Sequence, residues 1–362
     1  MCFNGIILSK KRDILKLLVS ALEHSANIHL KTLTKELPSD IELIGIFTKE
    51  LGEPIVDLQS LAIMGFVDAL KKLRFFFKLA DEMVKLAREA DKVLLMDSSG
   101  FNLPLAKKLK KTYPNKEIIY YILPQAWAWK PKRIPVLERT CTHLASILPF
   151  EKSYYSKNAP IEYVGHPLLD IIPNVKESLN DTIKEVVFMP GSRKGEITKL
   201  MPLYKEVAKN LLNVQKTIII PSFFTQEEIT SLYGDLSDFT IEHNTYEVLN
   251  RADFGFICSG TATLEASIIG IPFILTYIAK KLDYMIASRM VKLNYLGLAN
   301  IMLEKKDGSF IHPELIQDDV TVENMLRLYK DFNRDQFLEK SKELREYLQH
   351  GSAKNVAKII LG

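Results

Sequence analysis

Val186, Val187, Phe188 and Met189 form an apolar run too short for a helix. Such runs are buried on both faces of a parallel sheet. Pro190 and Gly191 stop the run, since one lacks a backbone donor and the other tolerates positive φ. Ser192 then reads as the N-cap of a following helix, with Glu196 in its first turn. A strand ending in this kind of loop leaves backbone N–H groups pointing outward, with the positive end of a helix dipole behind them. Arg193 adds a planar cation. Gly191, Ser192 and Arg193 together suit a phosphate, against the simpler reading of a tight strand-to-helix turn.

The same alternation of short apolar runs and helical stretches fills the rest of the chain. Strands are expected at 17–22, 41–47, the KVLLMD run ending at Asp97, EIIYYILP, LASILPF and IEYVGH. A turn, EHSAN, leads to a helix over about 28–37, and a long helical pattern follows the second strand. After the hydrophilic passage IIPNVKESLNDTIKE the pattern restarts, with TIIIPS, FTIEHN, FGFICSG and PFILTYI as further strands. From about residue 322 the chain is charged and helical, with no strand expected. Strands alternating with helices give parallel βαβ units. The expected fold is α/β, with two Rossmann-like domains and a cleft between their strand carboxyl ends.

Composition excludes several classes. The 362 residues are 47% hydrophobic and 25% charged with a net charge of +4, so nucleic acid is not demanded. Cys2, Cys141 and Cys258 have neither metal-ligand spacing nor an even count, which fits a reducing cytoplasm. The apolar run at the start precedes its basic cluster, the reverse of a secretory signal. No uninterrupted apolar stretch of about 18 residues exists, so no membrane span is expected. Neither half carries GxGxxG or GxxxxGK[ST], so hydride transfer and ordinary NTP hydrolysis lose support.

Other residues are candidates for chemistry. Ser259, Gly260 and Thr261 form a second strand-to-helix turn able to present N–H groups and hydroxyls to an anion. Glu265 would either accept hydrogen bonds from ribose hydroxyls or serve as a capping partner. Two anion-friendly turns in one half resemble a nucleotide-diphosphate cradle. Asp97 closes a strand of the first half, where burial would make it a general base; an Asx-turn is the alternative. His166 precedes Pro167, and a lone histidine is more often structural. Trp127 and Trp129 would stack on sugar or acyl groups, or belong to the core. Phe66, Leu70, Phe75, Phe76 and Phe77 alternate with Lys71, Lys72, Arg74 and Lys78, which by itself reads as core with a solvated face.

The strings YYILPQAWAWKPKR, ILPFEKSYY, YVGHPLLD, MPGSRKGEI, SGTATLEA and HPELIQ occur in that order, with LAIMGFVDAL and MDSSGFN before them. From about residue 17 to 317 the chain resembles the lipid-A-disaccharide synthase family of glycosyltransferases. The resemblance implies a GT-B fold, with residues 1–172 as acceptor and membrane-facing domain and 173–340 as UDP-sugar domain. Residues 341–362 would be a closing helix, packed back on the first domain or exchanged in a homodimer. It implies inverting transfer from UDP-2,3-diacylglucosamine to the 6-hydroxyl of 2,3-diacylglucosamine 1-phosphate (lipid X), without metal or other cofactor. Asp97 matches the family's general base, and Ser192, Arg193 and the Ser259–Glu265 turn match UDP-side motifs. Asn300, Glu314 and Gln317 match further donor-side positions. Glu23, Ser25, Asn27, Asn102, Gln125, Trp127, Trp129 and His166 are candidates for the acceptor side and cleft. Phe66, Leu70, Phe75 and Phe76 become candidates for contact with the cytoplasmic face of the inner membrane, where the protein would be peripheral.

The departures from the family pattern concern the first half. LEHSAN stands for the family's glycine-containing GEASGD-like turn, restricting it to ordinary backbone angles. Gly100 replaces a common acidic residue, which is expected to leave Asp97 without a carboxylate neighbour. Lys130 replaces a frequent arginine, a point charge for a fork. A UDP-sugar 2-epimerase, a different glycosyltransferase and a non-catalytic nucleotide-sugar binder are the alternatives on the same fold.

Overall fold

Burial on both faces sorts the apolar runs into two parallel sheets. The computed structural model describes residues 14–56, 69–279 and 293–362. The first sheet holds β1 (Lys16–Ala21), β2 (Glu42–Ile46), β3 (Lys92–Met96), β4 (Glu117–Tyr121), β5 (His143–Ser146) and β6 (Ile161–Tyr163), in the order β2-β1-β3-β4-β5-β6. The second holds β7 (Glu185–Met189), β8 (Gln215–Ile219), β9 (Thr240–Glu242), β10 (Phe254–Cys258), β11 (Phe273–Tyr277) and β12 (Glu314–Ile316), in the order β12-β11-β10-β7-β8-β9. Every described pair is parallel. Each order reverses direction once, between β1 and β3 in the first sheet and between β7 and β10 in the second. In open α/β sheets ligands bind at such switch points, outside the strand carboxyl ends.

The run that opened the sequence reading shows why these strands cannot face water on either side. Val186 and Phe188 pack in one core cluster with Phe254 and Phe256, while Val187 and Met189 enter another with Ile257 and Phe273. Four helices that matter to the site leave the carboxyl ends of strands, α1 (His24–Thr34) after β1, α3 (Ser99–Thr112) after β3, α4 (Lys194–Asn210) after β7 and α5 (Thr261–Ile269) after β10, while α2 (Ala69–Leu86) leads into β3. Further on come α6 (Leu298–Asp307), α7 (Arg334–Leu348) and α8 (Ser352–Leu361).

Two expectations are corrected and one strand is added. The helix expected over 28–37 starts at His24, so EHSAN is its first turn rather than a separate loop. The cause is Asn27, whose amide donates to Ala21 O (2.8 Å) and Glu23 O (2.9 Å) while its carbonyl accepts from Thr48 N (2.8 Å). Ser192 is not the N-cap of α4; Arg193 occupies that position, because Glu196 accepts from the Arg193 backbone N–H and guanidinium. The HPELIQ segment forms a strand, β12, that its short apolar content did not announce.

The chain crosses between the halves twice. It leaves the first through 172–184 and returns after α7, when α8 packs on the first sheet. Val356, Ala357 and Ile360 lie in one cluster with Leu17, Val19, Ile119 and Val164. Asp170 accepts from Gly351 N and Ala353 N, both at 2.8 Å, which places a carboxylate at the positive end of α8. Tyr121 Oη bonds Ser352 Oγ at 2.8 Å. Gly165, at φ +91°, lets this crossing pass closely, since a Cβ there would sit 2.9 Å from Gln349 O. Ile360→Ala, which removes a fully buried side chain at this junction, is expected to cost about 2–5 kcal/mol in urea unfolding.

Candidate active site

Parallel pairing of β7 with β10, Ile257 opposite Met189, brings the two anion-friendly turns side by side. Gly191 has φ +99°, and a Cβ on it would lie 2.6 Å from Glu196 Oε2 and 3.2 Å from Cys258 Sγ. The turn therefore needs glycine twice over, for its backbone angle and for the close approach of the second turn. Ser192, Arg193, Gly260 and Thr261 are exposed and Ser259 is half-buried, so both helix N-termini remain open to a ligand. The Arg193 guanidinium is folded onto Glu196 Oε1 at 2.8 Å with its side chain 80% exposed. The arginine end of this pair faces solvent, so its remaining N–H donors are open to a ligand.

Glu265 is half-buried in the second turn of α5, and its Oε1 accepts from Tyr246 Oη at 3.1 Å. Burial lifts its carboxyl above the usual range while Tyr246 pulls it part of the way back. It does not cap its own helix, and Oε2 has no partner among the described residues. Asn300 and Glu314 meet each other. Glu314 accepts from Leu296 N (2.7 Å), Gly297 N (3.0 Å) and Asn300 Nδ2 (2.8 Å), closing the N-terminus of α6. Asn300 also receives Ile311 N at 2.9 Å. This pair fixes the α6–β12 connection from inside, and Glu314 occupies the dipole position an anion would take. Gln317 follows β12 at φ +56°, with its buried Nε2 unpartnered among the described residues.

In the first half, Met96 pairs with Ala21, so Asp97 and Glu23 emerge from adjacent strands at the switch point. Asp97 and Ser98 have φ of +48° and +39°, a left-handed pair without glycine. Buried bonds hold this turn: Asp97 O accepts from Tyr120 Oη (2.6 Å) and Asn102 Nδ2 (3.0 Å), and Asn102 Oδ1 accepts from Ser20 Oγ (2.6 Å). Strain of about 1–3 kcal/mol per such residue persists only where surroundings over-determine it. Burial raises the Asp97 carboxyl above its ordinary value, the Ser98 backbone N–H lowers it in part, and the charge of Glu23 raises it further. Asp97 thus has a carboxylate neighbour after all, supplied by β1 rather than by position 100. Glu23 Oε1 also accepts from Ser98 Oγ at 3.3 Å.

The remaining candidates divide. Ser25 is exposed in the first turn of α1, and Asn27 and Asn102 are buried positioning groups. Gln125 is exposed where β4 ends its loop. Trp127 is 9% exposed and packs edge-on to Phe150 at 4.8 Å, so it belongs to the core. Trp129 is 43% exposed, with Lys130 Nζ 4.0 Å from its ring centroid. His166 is buried, its Nδ1 accepts from Leu168 N, and its backbone N–H is spent on Leu348 O. Burial pushes its imidazole down to about 3, the state of a structural histidine rather than an acid–base group. Phe66 lies outside the described residues, and Leu70 falls in the first turn of α2. Phe75 and Phe76 are half-buried against the first-half core, and the exposed ring of this stretch is Phe77. Tyr246 escaped the sequence reading, because nothing in its local pattern places it beside Glu265.

Two doubly wound sheets, one ending in a paired anion cradle and the other in a raised carboxylate, define a GT-B glycosyltransferase. Solved structures with this fold include Acinetobacter baumannii MurG (TM-score 0.59, 14% identity, 96% of this chain and 99% of that one). S. aureus MnaA, solved with UDP, matches with a TM-score of 0.60 at 10% identity, over 94% of each chain. The model of the family described as lipid-A-disaccharide synthetase matches residues 17–359. A lipid-A-disaccharide synthase of Helicobacter acinonychis (strain Sheeba) is 48% identical over 356 residues, covering 95% of this chain and 97% of the relative. That of Campylobacter jejuni (strain RM1221) is 44% identical over 363 residues, covering 95% and 98%. The chain belongs to the lipid-A-disaccharide synthetase family, and its reaction is glycosyl transfer in lipid A synthesis. Gly191→Ala is expected to cost about 1–3 kcal/mol in urea unfolding and to weaken UDP binding in titration calorimetry.

Proposed function

We propose that the chain joins UDP-2,3-diacylglucosamine to 2,3-diacylglucosamine 1-phosphate (lipid X) with inversion, releasing UDP and the β-1,6-linked disaccharide 1-phosphate. The observation that carries the reading is the placement of Asp97 directly after β3 at the first switch point, with Glu23 following β1 beside it. Asp97 takes the proton of the 6-hydroxyl as that oxygen attacks the anomeric carbon from the face opposite the nucleotide. The bond to the β-phosphate breaks, and its electron pair leaves with UDP. The N-termini of α4 and α5 and the Arg193 guanidinium receive the developing charge, at about 1.5–3 kcal/mol for each charge-assisted hydrogen bond. This set of groups supports a metal-free reaction. Glu265 Oε2, open beside the cradle, is suited to the ribose hydroxyls.

The acyl chains require an apolar surface. The exposed Phe77, flanked by Arg74 and Lys78 on α2, favours peripheral attachment to the cytoplasmic face of the inner membrane. Among the described residues no helix is long and apolar enough to cross a membrane.

Asp97→Asn is expected to lower kcat by about 10²–10⁴-fold with little change in donor affinity; steady-state kinetics beside calorimetry with the UDP-sugar checks both, and near-normal turnover removes Asp97 as base. Glu23→Gln removes a negative charge that holds the Asp97 pKa up. The acid limb of the kcat/KM profile should therefore move to lower pH, and an unmoved limb would detach Glu23 from the base.

A further inference from the structure

A groove of about 520 Å³ opens where α3 begins, between that helix and the segment that follows Trp129. Four basic side chains line it: Lys107, Lys130, Lys132 and Arg133. Among the described residues, none that lines it is acidic and none of the four cations forms an ion pair. Lys31, Lys92 and Lys108 of the same half do have carboxylate partners, in Glu50, Glu117 and Asp81. Like charges gathered without counter-ions raise the free energy of the ligand-free protein, and an anion relieves it.

The groove is also built, rather than a loose collection of surface chains. Arg133 donates through Nη1 to Ser99 Oγ at 2.7 Å, and its guanidinium carbon lies 5.5 Å from the centre of the Trp129 ring. The fork is thus held in one orientation with other N–H donors left for a ligand. Leu103, Pro104 and Val136 supply an apolar wall. Outside the groove lining, Phe101 of α3 lies 5.8 Å from Phe76 of α2 and Phe76 5.6 Å from Phe75, and Phe77 nearby is exposed. A cationic groove with an apolar wall suits the phosphorylated head of an anionic glycolipid.

We propose that this groove binds the anomeric phosphomonoester of the acceptor, with Arg133, Lys130, Lys132 and Lys107 as its cations. The inference rests on the acceptor-directed role of Asp97 given above and extends it to the far end of the same sugar. Ser99 follows Asp97 by two residues, so their Cα atoms are at most about 7.6 Å apart. A phosphate held beside Ser99 and Arg133 leaves the opposite end of one hexose ring within reach of the Asp97 carboxylate. The groove would then set which hydroxyl reacts, and would distinguish the phosphorylated acceptor from the donor's own sugar.

The test measures kcat/KM for 2,3-diacylglucosamine 1-phosphate and for its dephosphorylated counterpart, both in mixed micelles, with saturating UDP-sugar. For the phosphorylated acceptor the double variant Lys107→Gln/Lys132→Gln should lose about tenfold or more, and for the dephosphorylated one less than about twofold. Arg133→Lys, which keeps the charge but loses the fork, should fall between native and double variant. The KM for UDP-sugar reports on the integrity of the fold and should not move. Equal losses on both acceptors, or none on the phosphorylated one, overturn the subsite. So does reduced binding of the double variant to phosphatidylglycerol vesicles with an unchanged acceptor preference, which would assign the lysines to the membrane surface. Native protein that releases no UDP in response to acceptor refutes the parent reading itself, before any variant is compared.

Discussion

Two parallel strands that part company govern the second half. From β7 the chain turns to β8 on one flank, and from β10 it turns to β11 on the other. The helices following them therefore pack on opposite faces, α4 in the cluster of Phe188 and Phe256 and α5 in that of Val187 and Ile257. Neighbouring strands in a sheet lie about 4.8 Å apart, so the two helix N-termini start side by side with their free N–H groups toward the same space. Gly191 permits this approach because the volume a Cβ would fill belongs to Glu196 and Cys258. The reversal of strand order sets two positive helix ends side by side, the arrangement the proposed diphosphate site uses.

The acceptor side solves a different problem. A base must lose its ordinary solvation yet stay where a hydroxyl can reach it. Asp97, proposed for that role, sits on a left-handed backbone whose carbonyl is tied to Tyr120 and Asn102. The Ser20–Asn102–Asp97 chain of bonds is buried, so breaking one member would leave its partner unpaired at about 1–3 kcal/mol. Glu23 adds a charge without adding a contact to the carboxylate. The two halves are held in one molecule by α8, whose apolar face completes the first-half core and whose N-terminus is neutralised by Asp170.

Much of this was legible in the residues. Short β-branched and aromatic runs ended by Pro, Gly and Ser announced the strands and their turns, because burial on both faces leaves room for little else. The placement of Gly191, Arg193, Ser259, Gly260 and Thr261 in two strand-to-helix turns followed from the same punctuation. Less legible were features made by partners distant in sequence. The cap of α4 fell to Arg193 because Glu196 bonds its backbone and side chain together, an exchange no propensity ranking anticipates. Glu23 is 74 residues from Asp97 in the chain, and only the β1–β3 pairing makes them neighbours. β12 is three residues long and lies at an edge, where pairing with β11 rather than its own composition makes it a strand.

The sequence by itself determined the class of fold and the local shape of each turn, since these depend on periodicity and on φ preferences carried by single residues. It also carried the family, through ordered motifs. Tertiary structure alone decided which turns stand together, which carboxylates feel each other's charge and which tryptophan faces out. Those are questions of distance between chain segments far apart in sequence, and distance is set by the order in which strands pair and by the faces on which helices pack.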